Sequence, residues 1–312
     1  KMVKIKMDPL TPQDPKELSY SVLTDSQKAD FEHHMELDFS FGIKDVARFR
    51  GNLFFQRGSV SGAFRWIPVV IPEFDTLGLP VVIRRVLRAP NGIVLVTGPT
   101  GSGKSTTLAS MLDLLNREEH GHILTIEDPI EFVHSHKNCI INQREVGVDT
   151  HKFSDALRRI LRQDPDYILI GELRDIETIE MALTLAETGH LVFATLHTNS
   201  AMQSINRLIN VFPPHQQAQI RQMLSFTLQA ALSQQLIPNS FGPGRSLSLE
   251  VLIPNAGIRN LIREDKLHQI YSLMQAGQGE TGMRTMNQSL AQLVREGKIS
   301  KAQAMDYSIL PE

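Results

Sequence analysis

The sequence predicts an α/β protein: a phosphate-loop domain on a parallel-rich sheet, preceded by a small α+β domain and followed by a helical tail. Three observations carry this. From residue 81 onward, short apolar runs alternate with helical stretches, as strands joined by crossover helices do. One run, Ile93 to Val96, passes straight into Gly98, Gly101 and Gly103 and then into helix formers. Ahead of it, Leu37, Phe39 and Phe41 alternate with Asp38 and Ser40, the period of a half-buried strand.

In chain order, residues 2–7 read as strand, so the chain opens abruptly and the N-terminal domain is expected to lack its first elements. A short helix follows, with Asp14 as cap, Pro15 at its first position and Glu17 three residues after the cap. A second begins at the capping box Thr24 to Gln27. Strands are expected from residue 36, over 46–56 and over 61–67, which completes an N-terminal domain of residues 1–68. Pro68, Pro72, Gly78 and Pro80 mark a connector over 69–80. The core, 81–253, then holds strands at 93–96, 122–126, 167–170, 191–196 and 246–253. Helices are expected at 153–163, from about 172 to 188, at 200–210, and as one long amphipathic helix at 214–236. Residues 254–312 form the helical tail, with segments at 258–264, 267–275, 284–295 and 300–307.

With 312 residues there is enough chain for two domains and a sizeable core. Thirty-two basic against 34 acidic residues leave a net charge of -2, which gives no general pull toward nucleic acid or anionic lipid. Cys139 is the single cysteine, so neither a disulfide framework nor a four-cysteine zinc site can form. His134 and His136 lie near it, but no second cluster completes a tetrahedral set. Neither a membrane-length apolar run nor an apolar signal core is present, which points to the cytoplasm without direct membrane insertion.

The stretch Gly98 to Ser105 matches Gly, four residues, Gly, Lys, Ser, flanked by a strand and a helix as the phosphate loop requires. Its glycines let successive backbone N–H groups converge on one centre, and the helix N-terminus adds partial positive charge. Thr100, Gly101, Ser102, Gly103, Lys104, Ser105 and Thr106 are the candidate nucleotide-binding residues. Lys104 would reach the β- and γ-phosphates and Ser105 would ligate Mg²⁺. In open parallel sheets ligands sit beyond the carboxyl ends of strands, where Glu127, Glu172 and His197 also stand. Glu172 takes the metal-side role with Ser105, and Glu127 is the preferred general base; the reverse assignment stays open. His197 would contact the γ-phosphate. Arg50, Arg57 and Arg65, on or beside predicted strands, read from sequence alone as a solvated face.

Four boxes together resemble one family: Gly98 to Thr107; Ile126 to Glu131; Asp164 to Asp166 with Gly171 to Asp175; and Thr188 to His190 through Leu196 to Thr198. They are similar to the Walker A, Asp, Walker B and His boxes of the secretion ATPases of type II secretion and type IV pili. Gln143 to Val146 and Ile258 to Glu264 bring the chain nearest the pilus-retraction, or PilT-type, branch. The resemblance covers essentially the whole chain. It implies a cytoplasmic homohexameric ring, each subunit joining a PAS-like domain to a RecA-like ATPase domain, with ATP and Mg²⁺ as cofactors. It implies that Arg50, Arg57 and Arg65 reach the phosphates when the N-terminal domain closes. It also implies twitching motility through an inner-membrane pilus platform protein, with Ile258, Arg259, Asn260, Leu261, Ile262, Arg263 and Glu264 as a retraction motif. Gly257 stands where this group usually has Ala. Glycine's cost of about 1 kcal/mol in a helix predicts that the motif helix starts one residue later.

Three rival functions are weighed. A pilus-extension or type II secretion ATPase commonly carries a four-cysteine zinc element, which one cysteine cannot build; an accessory retraction ATPase is closer. A nucleic-acid translocase would want a basic, aromatic channel, and only 6% of residues are aromatic. A ring that binds ATP without turnover would not need Lys104, Glu127 and Glu172 together.

Overall fold

A computed structural model describes residues 4–43, 46–68 and 70–308. The chain divides into two compact units, residues 1–70 and 71–312.

The first unit pairs α1 (Asp14–Tyr20) and α2 (Asp25–His34) with an antiparallel sheet of β1 (Glu36–Ile43), β2 (Ala47–Gln56) and β3 (Ser59–Ile67), in that order. The Thr24 hydroxyl and the Gln27 side chain close the expected capping box on α2. Phe31, Leu37, Phe39, Leu53 and Val60 form this unit's core. Asp14 is the first helical residue rather than the cap, and its carboxylate accepts the Thr11 N–H instead. The strand expected over 2–7 is absent from its described part, residues 4–7, where the Met7 N–H bonds back to the Ile5 carbonyl. Residues 1–3 lie outside the described residues.

The second unit is a seven-stranded sheet covered on both faces. Its elements are α3 (Val82–Leu87), β4 (Gly92–Thr97), α4 (Lys104–Glu118), β5 (His122–Glu127), β6 (Ile140–Glu145), α5 (Phe153–Ile160), β7 (Tyr167–Ile170), α6 (Ile176–Glu187), β8 (Leu191–Leu196), α7 (Ala201–Asn210), α8 (Pro214–Thr227), β9 (Leu228–Pro238) and β10 (Arg245–Leu252). The strand order is β10-β9-β4-β8-β7-β5-β6, parallel throughout except for β10 against β9. Every residue of β4 and β8 is buried, which is why those strands read as unbroken apolar runs. Ile93 and Leu95 face the core under α5 to α8, while Val94 and Val96 face the one under α3 and α4.

In this sheet two strands depart from the sequence reading. The helix expected over 214–236 stops at Thr227, and the chain enters β9 directly at Leu228. Residues 228–236 are good helix formers, but pairing with both β4 and β10 outweighs that weak preference. Strand β6 was not expected either. It lies at the sheet edge, and its Asn142, Gln143 and Arg144 give it no apolar run.

The tail comprises α9 (Ala256–Arg263), α10 (Ile270–Ala276), α11 (Gln278–Thr281), α12 (Met286–Arg295) and α13 (Lys301–Tyr307). Residues Val251 and Arg284 exchange both backbone hydrogen bonds, at 2.7 and 3.0 Å, so the tail is tied to the outer edge of β10 at this point. Buried Glu250 on β10 accepts the Ala201 N–H at 2.7 Å and the Met286 N–H at 3.3 Å, joining the starts of α7 and α12. Helix α9 begins at Ala256, before Gly257, contrary to the later start expected. The Asn255 side chain caps it by accepting the Ile258 N–H, which fixes the first turn and offsets the glycine.

Candidate active site

The phosphate loop leaves the carboxyl end of β4, with β8 on one side and β9 on the other. Gly98 has φ +139°, and a Cβ there would stand 2.3 Å from the Gln234 carbonyl, so β9 passes too close for any side chain. Gly103, at φ +90°, starts α4 without a capping side chain, and the first turn holds no acid. The helix's first N–H groups therefore lack a side-chain acceptor and suit a phosphate. Thr100, Gly101 and Ser105 are exposed, Gly103 and Thr106 are half-buried, and Ser102 is buried. From β9, buried Gln234 donates through Nε2 to the Ser102 carbonyl at 2.6 Å, holding the loop from below.

Lys104 Nζ bonds the carbonyls of Gly98 at 2.8 Å and Pro99 at 3.2 Å, so it lies over the loop it serves. Burial pulls its pKa down, and the Glu172 charge opposes that shift. From Lys104 a polar chain crosses the strand ends. Its Nζ is 3.5 Å from His197 Nδ1 after β8, and His197 Nε2 is 3.4 Å from Glu172 Oε2 after β7. Glu172 Oε2 in turn meets Arg174 Nη2 at 2.8 Å. Burial pushes the Glu172 carboxyl up, but Arg174 and His197 outweigh it and bring its pKa below the ordinary value. Glu172 is therefore ionised at neutral pH and faces the loop as an anion, which suits a metal ligand.

Glu127 ends β5 and is 8% exposed. Its Oε1 accepts from Thr125 Oγ1 at 2.7 Å and from Gln143 Nε2 at 3.2 Å, while Oε2 takes the Glu131 N–H at 3.4 Å. Burial raises its pKa, and these bonds only partly restore it. A carboxylate held at raised basicity is suited to accept a proton. The two acids thus sit in environments that push them in opposite directions, which separates a base from an anionic ligand.

The expected residues group unevenly. The structure brings Lys104, His197 and Glu172 into one chain, with Glu127 on the neighbouring strand of β7. Arg50 and Arg65 are directly opposite on β2 and β3. Arg57 sits with Gly58 at the hairpin tip, both at positive φ, six or seven residues away along the strands. At about 3.3 Å per residue that is roughly 20 Å, so Arg57 does not share a site with the other two. Like charges opposed across a ladder are unfavourable, and an anion between Arg50 and Arg65 would relieve that repulsion.

In the motif helix, Ile258 and Ile262 are buried, while Asn260 and Glu264 are exposed. Leu261 packs against the core, and the Arg263 guanidinium lies over the Phe226 ring. Arg259 turns inward and donates through Nη1 to the carbonyls of Ser225 at 2.6 Å and Phe226 at 2.9 Å, capping α8. Near the single cysteine, His136 Nδ1 accepts the Ile141 N–H and Cys139 is buried. Burial takes His134 down to about 4, so its ring is neutral in the physiological range.

Arg174 and Gln143 stood in stretches quoted from the sequence but were given no role, and Thr125 and Gln234 were not singled out. Thr125 had a usable signal, two residues before Glu127 on one strand and so on the same face. Gln143 carried only its place in a family-like run and Gln234 no signal, because their strands were not expected.

Over 309 residues, 99% of this chain and 89% of the relative, the protein is 52% identical to the type IV pilus retraction ATPase PilT of Pseudomonas aeruginosa. The type IV pilus ATPase PilU of the same organism is 40% identical over 308 residues, covering 99% of this chain and 80% of that one. Among solved structures, the pilus retraction motor PilT with bound ADP aligns at a TM-score of 0.91 and 54% identity, covering 97% of this chain and 86% of the other. A family match running from residue 79 to 305, on a fold shared over almost the whole chain, makes this protein a member of the Type II/IV secretion system protein family.

Proposed function

We propose that the protein hydrolyses ATP to drive type IV pilus retraction and so twitching motility, working as a homohexameric ring on an inner-membrane platform protein. The observation that carries the catalytic part is the convergence, at adjacent strand ends, of an uncapped phosphate loop, an ionised acid and a buried acid of raised basicity. Retraction rather than an accessory role is supported by the higher identity to PilT than to PilU. Among the described residues no helix is long and apolar enough to cross a membrane, which suits a motor that acts on its platform from outside the bilayer.

In this reading the α4 N-terminus and loop N–H groups hold the β-phosphate, and Lys104 swings from its carbonyl partners to the β- and γ-phosphates. Ser105 and Glu172 would hold Mg²⁺, which when bound offsets charge on the phosphates. Water attacks the γ-phosphorus and gives its proton to Glu127; the bond to the bridging oxygen breaks, and ADP and phosphate leave. His197 links Glu172 to Lys104 and senses the γ-phosphate. Arg50 and Arg65 together, and Arg57 separately, bring positive charge when the N-terminal unit closes, which couples turnover to motion. On the motif helix, Asn260, Arg263 and Glu264 offer side chains to a partner, while Arg259 supports the helix from within.

The test is steady-state ATPase activity of wild type, Glu127→Gln, Glu172→Gln and Arg50→Ala, with assembly followed by light scattering. All three variants should bind ATP and assemble, with turnover at least 100-fold lower for the two acids. Full activity in Glu127→Gln would remove the base assignment. A wild type that neither hydrolyses ATP nor assembles would sink the motor reading.

A further inference from the structure

The catalytic acid Glu127 is held by a side chain from a different strand. Gln143 lies on β6, paired in parallel register with β5. Its amide is fully used: Oε1 accepts the His134 N–H at 2.8 Å, while Nε2 donates to the Phe132 carbonyl at 2.9 Å and to Glu127 Oε1 at 3.2 Å. The two backbone partners fix which way the amide points. A flipped Gln143 would set its NH₂ against the His134 N–H and its oxygen against both the Phe132 carbonyl and the Glu127 carboxylate. Only one orientation is acceptable, and it presents a donor to Glu127. Thr125 supplies a second donor to the same oxygen at 2.7 Å.

From this geometry we infer that Gln143, with Thr125, is a positioning residue for ATP hydrolysis, occupying Oε1 of Glu127 so that Oε2 is the oxygen turned toward the attacking water. The inference rests on Glu127 being the general base. Oε2 has one long contact, the Glu131 N–H at 3.4 Å, and so retains capacity to take a proton. The charged groups around Glu127 are Asp128 and Glu131 in its own loop, Glu145 opposite it in the β6 register, Glu172 beyond the neighbouring β7, and Arg174, which bonds Glu172 and lies 3.9 Å from Asp128. Glu145 Oε2 is engaged by the Ile130 N–H. Burial, with the Glu131 charge added, favours protonation of Glu127, and the donors Thr125, Gln143 and the Glu131 N–H are the groups that oppose it. Gln143 also holds residues 132 and 134, which keeps the segment after Glu127 in place by the same amide.

The test compares kcat and KM for ATP across pH in wild type, Gln143→Met, Thr125→Val and Glu127→Gln, with melting temperature recorded for each. Gln143→Met keeps the side-chain length and loses the donor; Thr125→Val is nearly isosteric and does the same at the second donor. Each should move the acid limb of kcat upward by about one pH unit, a tenfold loss below the limb, with KM within about twofold. Should Gln143→Met fail to fold, Thr125→Val alone carries the test. An acid limb that stays in place, with kcat lowered evenly at all pH values or not at all, overturns the inference. Retained turnover in Glu127→Gln overturns the base reading itself, and is told apart because it does not depend on either donor variant.

Discussion

The loop support from β9 gives the sharpest quantitative prediction. In Gln234→Met the side chain keeps its length but loses the Nε2 donor, leaving the Ser102 carbonyl without its partner. Gln234 is 1% exposed and Ser102 3%, so water cannot readily replace that bond. A buried acceptor left unmade costs about 1–3 kcal/mol. Part of this is returned, because Gln234 Oε1 is itself buried without a partner, and methionine removes it. A net loss of about 1–2 kcal/mol in holding the loop in its cradle shape corresponds to roughly 5- to 30-fold weaker nucleotide binding. The assay is titration of a fluorescent ADP analogue, alongside thermal unfolding without nucleotide. Gln229→Met is the control: it loses a comparable bond, Nε2 to the Asn91 carbonyl at 2.9 Å, at the other end of the same strand. It should lower stability while leaving affinity unchanged. Equal affinity in wild type and Gln234→Met, with a lower melting temperature, would show that Gln234 supports the sheet and not the loop.

Arg259→Ala should remove two bonds to the end of α8 and lower stability by about 2 kcal/mol, read as a melting temperature lower by about 5 °C. ATPase activity measured well below that temperature should stay within about twofold, since none of its partners touches the phosphate loop. Glu250→Ala strips the acceptor from two buried helix starts and should cost about 2–5 kcal/mol, seen in chemical denaturation. Burial raises the Glu250 pKa and its two backbone bonds only partly lower it, so the folded state binds this proton more tightly than the unfolded one. Its contribution therefore falls as pH rises from the ordinary carboxylate value through the raised one. Glu250→Gln should flatten that part of the stability–pH curve.

Much of the site was legible because its residues carry local signatures. The phosphate loop announces itself through glycine spacing, and Glu127, Glu172 and His197 each follow an apolar run that could only be a strand. What escaped was information held by strand pairing. Residues 228–236 look helical alone, and only their place between β4 and β10 makes them a strand; with that went Gln234. Gln143 was quoted for its resemblance but could not be aimed at Glu127 without the β5–β6 register. The three arginines looked equivalent in sequence, whereas the hairpin sets two side by side and the third at its tip. Arg259 shows the reverse case, a motif residue whose two described bonds cap a neighbouring helix of its own subunit.

The backbone exchange between Val251 and Arg284 also bears on where this protein can be cut. A fragment ending at residue 253 contains every strand and every candidate catalytic residue of the second unit, and would look like a minimal ATPase. It would expose the outer edge of β10, with open N–H and C=O groups available to another chain, and would leave Glu250 with one of its two helix starts missing. Such a fragment is expected to aggregate. A shorter soluble version is better sought by trimming from the N-terminal side, near the division at residues 70 and 71.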